Sequence, residues 1–270
     1  MVTKSPVVLL TGYSGFLGHY LADEIRGRGL RLVRAGRRDP DVAVSLEDVA
    51  SVATAVDEAD PDIVLHCGAL SQMGACEQDP ELAVRINAES TRAFAESGVW
   101  TVVVSTDLVF DGSQAPYDTA AAPNPLSAYG RSKVAAEAAV LAGQGLAVRV
   151  PLLFGKSFDG RRGATDMLRG AGDQRLTLFT NEHRTPLHAA DAARGLVDLL
   201  ADRDRTGIVH LAGPERVSRF EFAQRFCALS GLSSESFSAG ECEDPQRPRD
   251  VSLTTDWDPG RSLDEALVAS

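Results

Sequence analysis

The feature that most constrains this chain is a glycine turn placed directly behind a short apolar run near its amino end. Val7, Val8, Leu9, Leu10 and Thr11 have the composition of a strand buried on both faces of a parallel sheet. Thr11-Gly12-Tyr13-Ser14-Gly15-Phe16-Leu17-Gly18 follows, after which Phe16, Leu17, Tyr20, Leu21 and Ile25 recur at helical spacing. In such a turn one glycine permits the tight bend, a second lets the backbone approach an anion, and a third lets helix and strand pack closely. The helix then presents free N–H groups and a partial positive charge, which suit the pyrophosphate of a dinucleotide. Gly12, Ser14, Gly15, Phe16, Leu17 and Gly18 are therefore cofactor-binding candidates. The spacing is G-x-x-G-x-x-G, not G-x-G-x-x-G, and an ordinary glycine-rich turn is the plain alternative.

Further along, residues 30–35, 63–67, 100–105 and 146–150 read as strands. Helical patterns lie between them, marked by Val49, Val52, Ala53 and Val56, by residues 81–96 and by the alanine-rich stretch 128–142. Strands alternating with helices predict an α/β chain with a Rossmann-type, doubly wound parallel sheet. Beyond Gly155 the regularity weakens, and helix-like stretches at 189–200 and 219–229 lie among loops rich in Gly, Pro and Arg. The expected division is an NADP-binding core over residues 1–155 and a small, mainly substrate-binding lobe over 156–270. Part of the latter, about 180–213, is expected to return to the core.

Bulk properties exclude several classes. The formal net charge of −11 argues against a nucleic-acid surface and for a cytoplasmic protein. Cys67, Cys76, Cys227 and Cys242 form no C-x-x-C pair and no zinc spacing, as expected of a reduced intracellular chain. The run Val7 to Leu10 is too short for a signal peptide, and no stretch approaches the roughly 20 apolar residues of a membrane span. His183 and His188 have no ligand cluster around them, so no metal is expected.

Cofactor choice is read after the second strand. An acid there would favour NAD, whereas an arginine would pair a 2′-phosphate. The chain offers Gly36-Arg37-Arg38 and no acid before Asp39, so Arg37 and Arg38 point to NADP(H), with two solvated surface arginines as the other reading.

Tyr129 and Lys133 are four residues apart, which on a helix places them on one face. A free phenol has a pKa of about 10, and a neighbouring ammonium stabilises the phenolate and lowers that value. A hydroxyl at the end of the preceding strand, Thr106, can donate a second hydrogen bond to the oxygen that Tyr129 would protonate. Thr106, Tyr129 and Lys133 are thus the catalytic candidates for hydride transfer to a carbonyl. Tyr129 and Lys133 also count as cofactor contacts, with Ser105 beside them.

With these residues in view, the chain resembles the extended short-chain dehydrogenase/reductases, and among them the dTDP-4-dehydrorhamnose reductase-like (RmlD-like, sugar-nucleotide-binding) branch. The resemblance rests on the opening glycine turn, on Pro61-Asp62-Ile63-Val64 leading to His66-Cys67-Gly68-Ala69, and on Asn87. Ser105-Thr106-Asp107-Leu108-Val109-Phe110-Asp111-Gly112 is its most specific string, followed by Pro125 to Lys133, Arg149 to Gly155, Arg184 to Asp191, His210 to Glu215 and Arg247 to Asp250. It implies that Thr106, Tyr129 and Lys133 are the catalytic triad, that Gly68 and Ala69 touch the cofactor, and that the Arg149–Gly155 segment flanks the nicotinamide. It further implies that Asp107, Arg184 and Arg247 serve a sugar-nucleotide substrate, the arginines at its phosphates. The family commonly dimerises, so a homodimer is an expected partner.

Departures limit what transfers. Leu108 stands where a tyrosine is usual, and His66, Cys67 and Leu70 replace small or polar residues. Asp107 is followed by leucine, not by the glutamate of the related dehydratases, which disfavours water elimination. The expectation is an NADPH-dependent reductase of a keto group on a nucleotide-linked deoxysugar. A sugar-nucleotide epimerase and a non-catalytic, nucleotide-binding regulatory subunit are the alternatives.

Overall fold

In the computed structural model, which describes residues 5–171 and 175–270, the chain begins with β1 (Val7–Thr11), α1 (Phe16–Gly27), β2 (Arg31–Gly36), β3 (Val42–Ala43), α2 (Val49–Ala59) and β4 (Ile63–His66). It continues through α3 (Met73–Gln78), α4 (Pro80–Val84), a π-helical turn (Arg85–Glu89), α5 (Ser90–Glu96), β5 (Thr101–Thr106), α6 (Ala128–Ala142) and β6 (Leu146–Val150). Then come β7 (Leu153–Phe154), α7 (Ala164–Arg169), β8 (Leu176–Phe179), β9 (His183–Arg184), β10 (Leu187–His188) and α8 (Ala189–Leu199). The last elements are β11 (Gly207–His210), β12 (Val217–Ser218), α9 (Arg219–Ser230), β13 (Phe237–Gly240) and α10 (Leu263–Val268).

The chain divides into two compact units, residues 1–106, 127–149 and 193–209 forming the first and 107–126, 150–192 and 210–270 the second. The first is built on a seven-stranded sheet in the order β11-β6-β5-β4-β1-β2-β3, a Rossmann-type arrangement, as the alternation of elements predicts. β1 pairs in parallel with both β2 and β4, in the register Leu9 to Val33 and Leu9 to Val64. Every residue of β1 is buried, which a strand achieves only when both sheet faces are covered. One part of that cover comes from α2 and α5, whose Val52, Val56 and Phe94 join Val7, Leu9, Val33 and Val64 in a single apolar cluster. Val140 of α6 packs on Val103 and Ala147.

Two differences from the sequence reading are local. The helix expected over 81–96 is interrupted by the π turn, which carries Asn87, and π turns frequently mark functional sites. Strand β3 is only two residues long, too short for a periodicity to reveal.

The second unit has its own core, in which Phe154, Leu168, Leu178, Val217, Phe222, Phe226, Leu263 and Leu267 pack together. Among the described residues its strands form three two-stranded pairs, β7 with β10, β9 with β12, and β8 with β13. The antiparallel β9–β12 pair sets Arg184 opposite Val217 and His183 opposite Ser218. His183 also bridges to Asp250.

Candidate active site

The carboxyl ends of β1 and β4 lie where the strand order reverses, the position at which a doubly wound sheet leaves a crevice. Gly12 there has φ +69°, and a Cβ on it would fall 2.6 Å from the Gly68 nitrogen. A Cβ on Gly18 would fall 2.0 Å from the Gly12 carbonyl oxygen, so backbone alone fills both places. The Gly15 N–H donates to the Gly12 carbonyl at 2.8 Å, closing the turn. As N-cap of α1, Gly15 brings no side-chain cap, which leaves first-turn N–H groups for an anion. Ser14 is exposed beside it, Phe16 is half-buried edge-on to Tyr20, and Leu17 is buried. This glycine cradle and open helix end fit a dinucleotide pyrophosphate.

The Thr11 hydroxyl ties the two strand ends together: its Oγ1 accepts the Gly68 N–H at 3.0 Å and lies 2.7 Å from His66 Nδ1. Asn87 fixes the next residues. Its Oδ1 accepts the Leu70 N–H at 2.7 Å, and its Nδ2 donates to the Leu70 carbonyl at 3.0 Å and to Ser132 Oγ on α6 at 2.8 Å. Gly68 and Ala69 are thereby held between an anchored strand end and the helix of Tyr129.

Arg37 and Arg38 follow β2 and are exposed. Arg37 makes a loose 3.5 Å contact with Glu47, and the Arg38 carbonyl accepts the Tyr13 hydroxyl. Arg34 instead pairs with Asp41 at 2.8 Å and lies over the Tyr13 ring.

Thr106 is the buried last residue of β5, against which α6 packs. That helix starts where Ser127 accepts the Gly130 N–H at 3.1 Å. In its first turn Tyr129, like Leu70, packs against the buried cluster of Cys76, Ala83 and Ala128. One turn on, Lys133 is only 2 % exposed. Burial pushes its ammonium down to about 8, against the pull of Cys67 and Glu137 toward the charged form. Burial likewise pushes His66 down to about 3, Lys133 adding to the effect. It drives the Cys67 thiol up to about 12, with Lys133 opposing, so this thiol is no nucleophile near neutrality. His66, Cys67, Lys133 and Glu137 thus share one electrostatic neighbourhood on the carboxyl side of the sheet. The Ser105 hydroxyl is engaged beneath it, donating to Glu137 Oε1 at 2.5 Å.

In the second unit the remaining candidates are ion-paired. Arg184 makes a two-pronged contact with the fully buried Asp107. Arg247 donates to Glu182 Oε2 at 2.6 and 3.1 Å and lies over the Phe179 ring. Among the described residues no group of three or more His, Cys, Asp or Glu is placed to hold a metal ion, and no helix is long and apolar enough to cross a membrane.

Residues 6–256 match the family described as the RmlD substrate binding domain. The chain belongs to that family. It is 29% identical over 262 residues to the "Probable low-salt glycan biosynthesis reductase Agl14" of Haloferax volcanii, covering 88% of this chain and 85% of that one. It is 30% identical over 237 residues to methionine adenosyltransferase 2 subunit beta of Danio rerio, covering 83% and 72%. Among solved structures, a dTDP-4-dehydrorhamnose reductase from Clostridium acetobutylicum superposes with a TM-score of 0.84 at 26% identity, over 97% of each chain.

Within this RmlD-type frame, sequence reading left the partners of three groups unread. Arg149 is wholly buried and bonded to Glu137; its signal was a lone arginine inside the apolar run Leu146-Ala147-Val148-Arg149-Val150. His66 is held from both sides, by Thr11 and by Ser90 Oγ at 3.2 Å, although in sequence it stands out only as a departure from the small or polar residue usual there. Arg219, the first residue of α9, shares a charged neighbourhood with Glu182, Arg184, Arg247 and Asp107, which no sequence spacing announces.

Proposed function

We propose that the chain is an NADPH-dependent reductase acting on a keto group of a nucleotide-linked deoxysugar. One observation carries this reading: Lys133 is buried one turn from Tyr129 on α6, with its ammonium poised near 8, beside the strand that ends in Thr106. Membership of the RmlD family and the likeness to a dTDP-4-dehydrorhamnose reductase support it.

Bound NADPH would supply the hydride. The Tyr129 hydroxyl gives its proton to the substrate oxygen as that oxygen gains negative charge. Lys133 favours the phenolate left behind, which makes Tyr129 a stronger acid near neutral pH. Thr106 donates a hydrogen bond to the same oxygen, stabilising charge that exists only as the reaction proceeds. Gly12, Gly15, Gly18, Gly68 and Ala69 would hold the cofactor, with Arg37 and Arg38 at its 2′-phosphate. Asp107, Arg184 and Arg247 would serve the sugar nucleotide.

A second reading is favoured by the relatives named as a subunit of methionine adenosyltransferase: a nucleotide-binding subunit without turnover of its own. NADPH oxidation against a panel of dTDP-, UDP- and GDP-linked 4-keto sugars separates these. A reductase consumes NADPH with at least one of them, and an epimerase interconverts its substrate with no net consumption. A silent panel, together with co-purification at fixed stoichiometry with an unrelated enzyme, supports the subunit.

A further inference from the structure

Tyr13 stands inside the glycine turn, yet its side chain works on the neighbouring strand. In the β1–β2 register Thr11 pairs with Ala35, so Gly12-Tyr13 and Gly36-Arg37 leave the sheet side by side at its carboxyl edge. The half-buried Tyr13 ring closely covers Gly36, where a Cβ would fall 3.0 Å from the tyrosine Cε1. Its hydroxyl donates to the Arg38 carbonyl. Arg34 lies over its face, the guanidinium carbon 5.3 Å from the ring centre. One side chain thus joins the turn to the loop after β2.

That loop is closed at its base by Arg34 and Asp41. Arg34 donates to the Asp41 carboxylate from its backbone N–H at 2.8 Å, from Nε at 3.1 Å and from Nη2 at 2.8 Å. The Asp41 N–H returns to the Arg34 carbonyl at 2.9 Å. Strand β3 then pairs with β2, Val42 with Ala35 and Ala43 with Gly36. Between these anchors the chain turns through Asp39, at φ +49°. Arg34 is engaged in the closure, whereas Arg37 and Arg38 remain exposed, Arg37 meeting Glu47 only at 3.5 Å. Gly36, bare and covered by the ring, offers no carboxylate to an adenosine ribose. An exposed arginine loses rotamer and backbone freedom when it grips an anion, and fixing its peptide beforehand lowers that cost. The Tyr13 hydroxyl fixes the peptide of Arg38.

We infer that Tyr13 is a positioning residue for coenzyme choice: by tying the glycine turn to the Arg38 backbone, it holds the arginine loop ready for the 2′-phosphate of NADP(H). The inference rests on the NADPH reading and adds to it the residue through which the two arginines become effective. A ring that merely filled space beside the turn would serve NAD and NADP alike, because both carry the pyrophosphate. Only a residue acting through the arginine loop separates them.

The test is calorimetric titration of the full chain with NADP+ and with NAD+, in native protein, Tyr13→Phe and Tyr13→Ala. Tyr13→Phe keeps the ring and removes one hydrogen bond, so NADP+ affinity is expected to fall roughly fivefold with NAD+ affinity unchanged. Tyr13→Ala also removes the cover of Gly36 and is expected to lower the NADP+ preference further. In an Arg38→Ala background Tyr13→Phe is expected to leave the preference unaltered, because the residue it positions is gone. Equal weakening of both coenzymes, or a further fall in that background, overturns the inference. Thermal midpoints without coenzyme report folding, and should Tyr13→Ala not fold, Tyr13→Phe decides. If native protein binds NAD+ as tightly as NADP+, the NADPH reading fails and this inference falls with it. A native preference that survives Tyr13→Phe overturns this inference alone.

Discussion

Glu137, one turn beyond Lys133 on α6, holds the wholly buried Arg149 of β6 through two hydrogen bonds of 2.9 and 2.7 Å. Ser105, next to Thr106, donates to the same carboxylate. The helix of Tyr129 and Lys133, the strand ending in Thr106 and the neighbouring strand are thus joined by one buried polar knot. Removing a single partner of such a pair strands a charge away from water. Glu137→Gln is expected to cost about 3–5 kcal/mol of folding stability in urea unfolding. A loss below about 1 kcal/mol, the scale of an exposed pair, would contradict this account of the knot.

Lys133 ties stability to pH in a defined direction. Its folded value of about 8 lies below its ordinary 10.5. Between these values the unfolded chain binds more protons, so stability rises with pH from about 8 to about 10.5. Lys133→Met is expected to flatten that slope, to raise stability at pH 7 and to abolish turnover. In the native protein the proposed reduction is expected to slow as pH rises through about 8, where the ammonium is lost. Melting curves across this range check the prediction, and an unaltered slope in the variant counts against it.

His66 acts on the acid side. Its folded value of about 3 lies below the ordinary 6.5, so on acidification the unfolded state takes up the proton first. Its contribution is complete above about 6.5 and is lost as pH falls toward 3. Comparing native protein with His66→Gln isolates this effect from the carboxylates common to both. The variant should lose less stability between pH 6.5 and 4.

Gly18→Ala places a methyl 2.0 Å from the Gly12 carbonyl oxygen, a contact that backbone cannot absorb in place. The turn must shift, and the first-turn N–H groups proposed to meet the pyrophosphate shift with it. NADP+ affinity is expected to fall at least roughly tenfold, a cost of about 1.4 kcal/mol, measured by calorimetry. Native-like affinity in the variant would show that the turn does not hold the cofactor.

The parts of the fold legible in sequence are those where the local pattern has one cause. Val7 to Thr11 reads as a doubly covered strand because it is one, and its glycine turn carries the spacing that close backbone approach demands. The alanine-rich stretch gives α6 to its ends. Harder to read were features produced by tertiary neighbours. The π turn at Asn87 answers to Leu70 and Ser132, and the burial of His66 to Thr11 and Ser90. Arg184 and Arg247 were legible as cations but not as members of ion pairs, because Asp107 and Glu182 meet them only after folding. Arg219 carried no sequence signal, since only the β9–β12 pairing sets it beside them.

The most direct test of the central claim compares native protein and Tyr129→Phe in two readings, NADPH oxidation with a dTDP-linked 4-keto-6-deoxy sugar and NADPH affinity. The account predicts net NADPH consumption by the native protein. It predicts at least roughly a hundredfold slower rate in the variant, the scale of a lost general acid, with cofactor affinity unchanged. Equal turnover in the two proteins would contradict it.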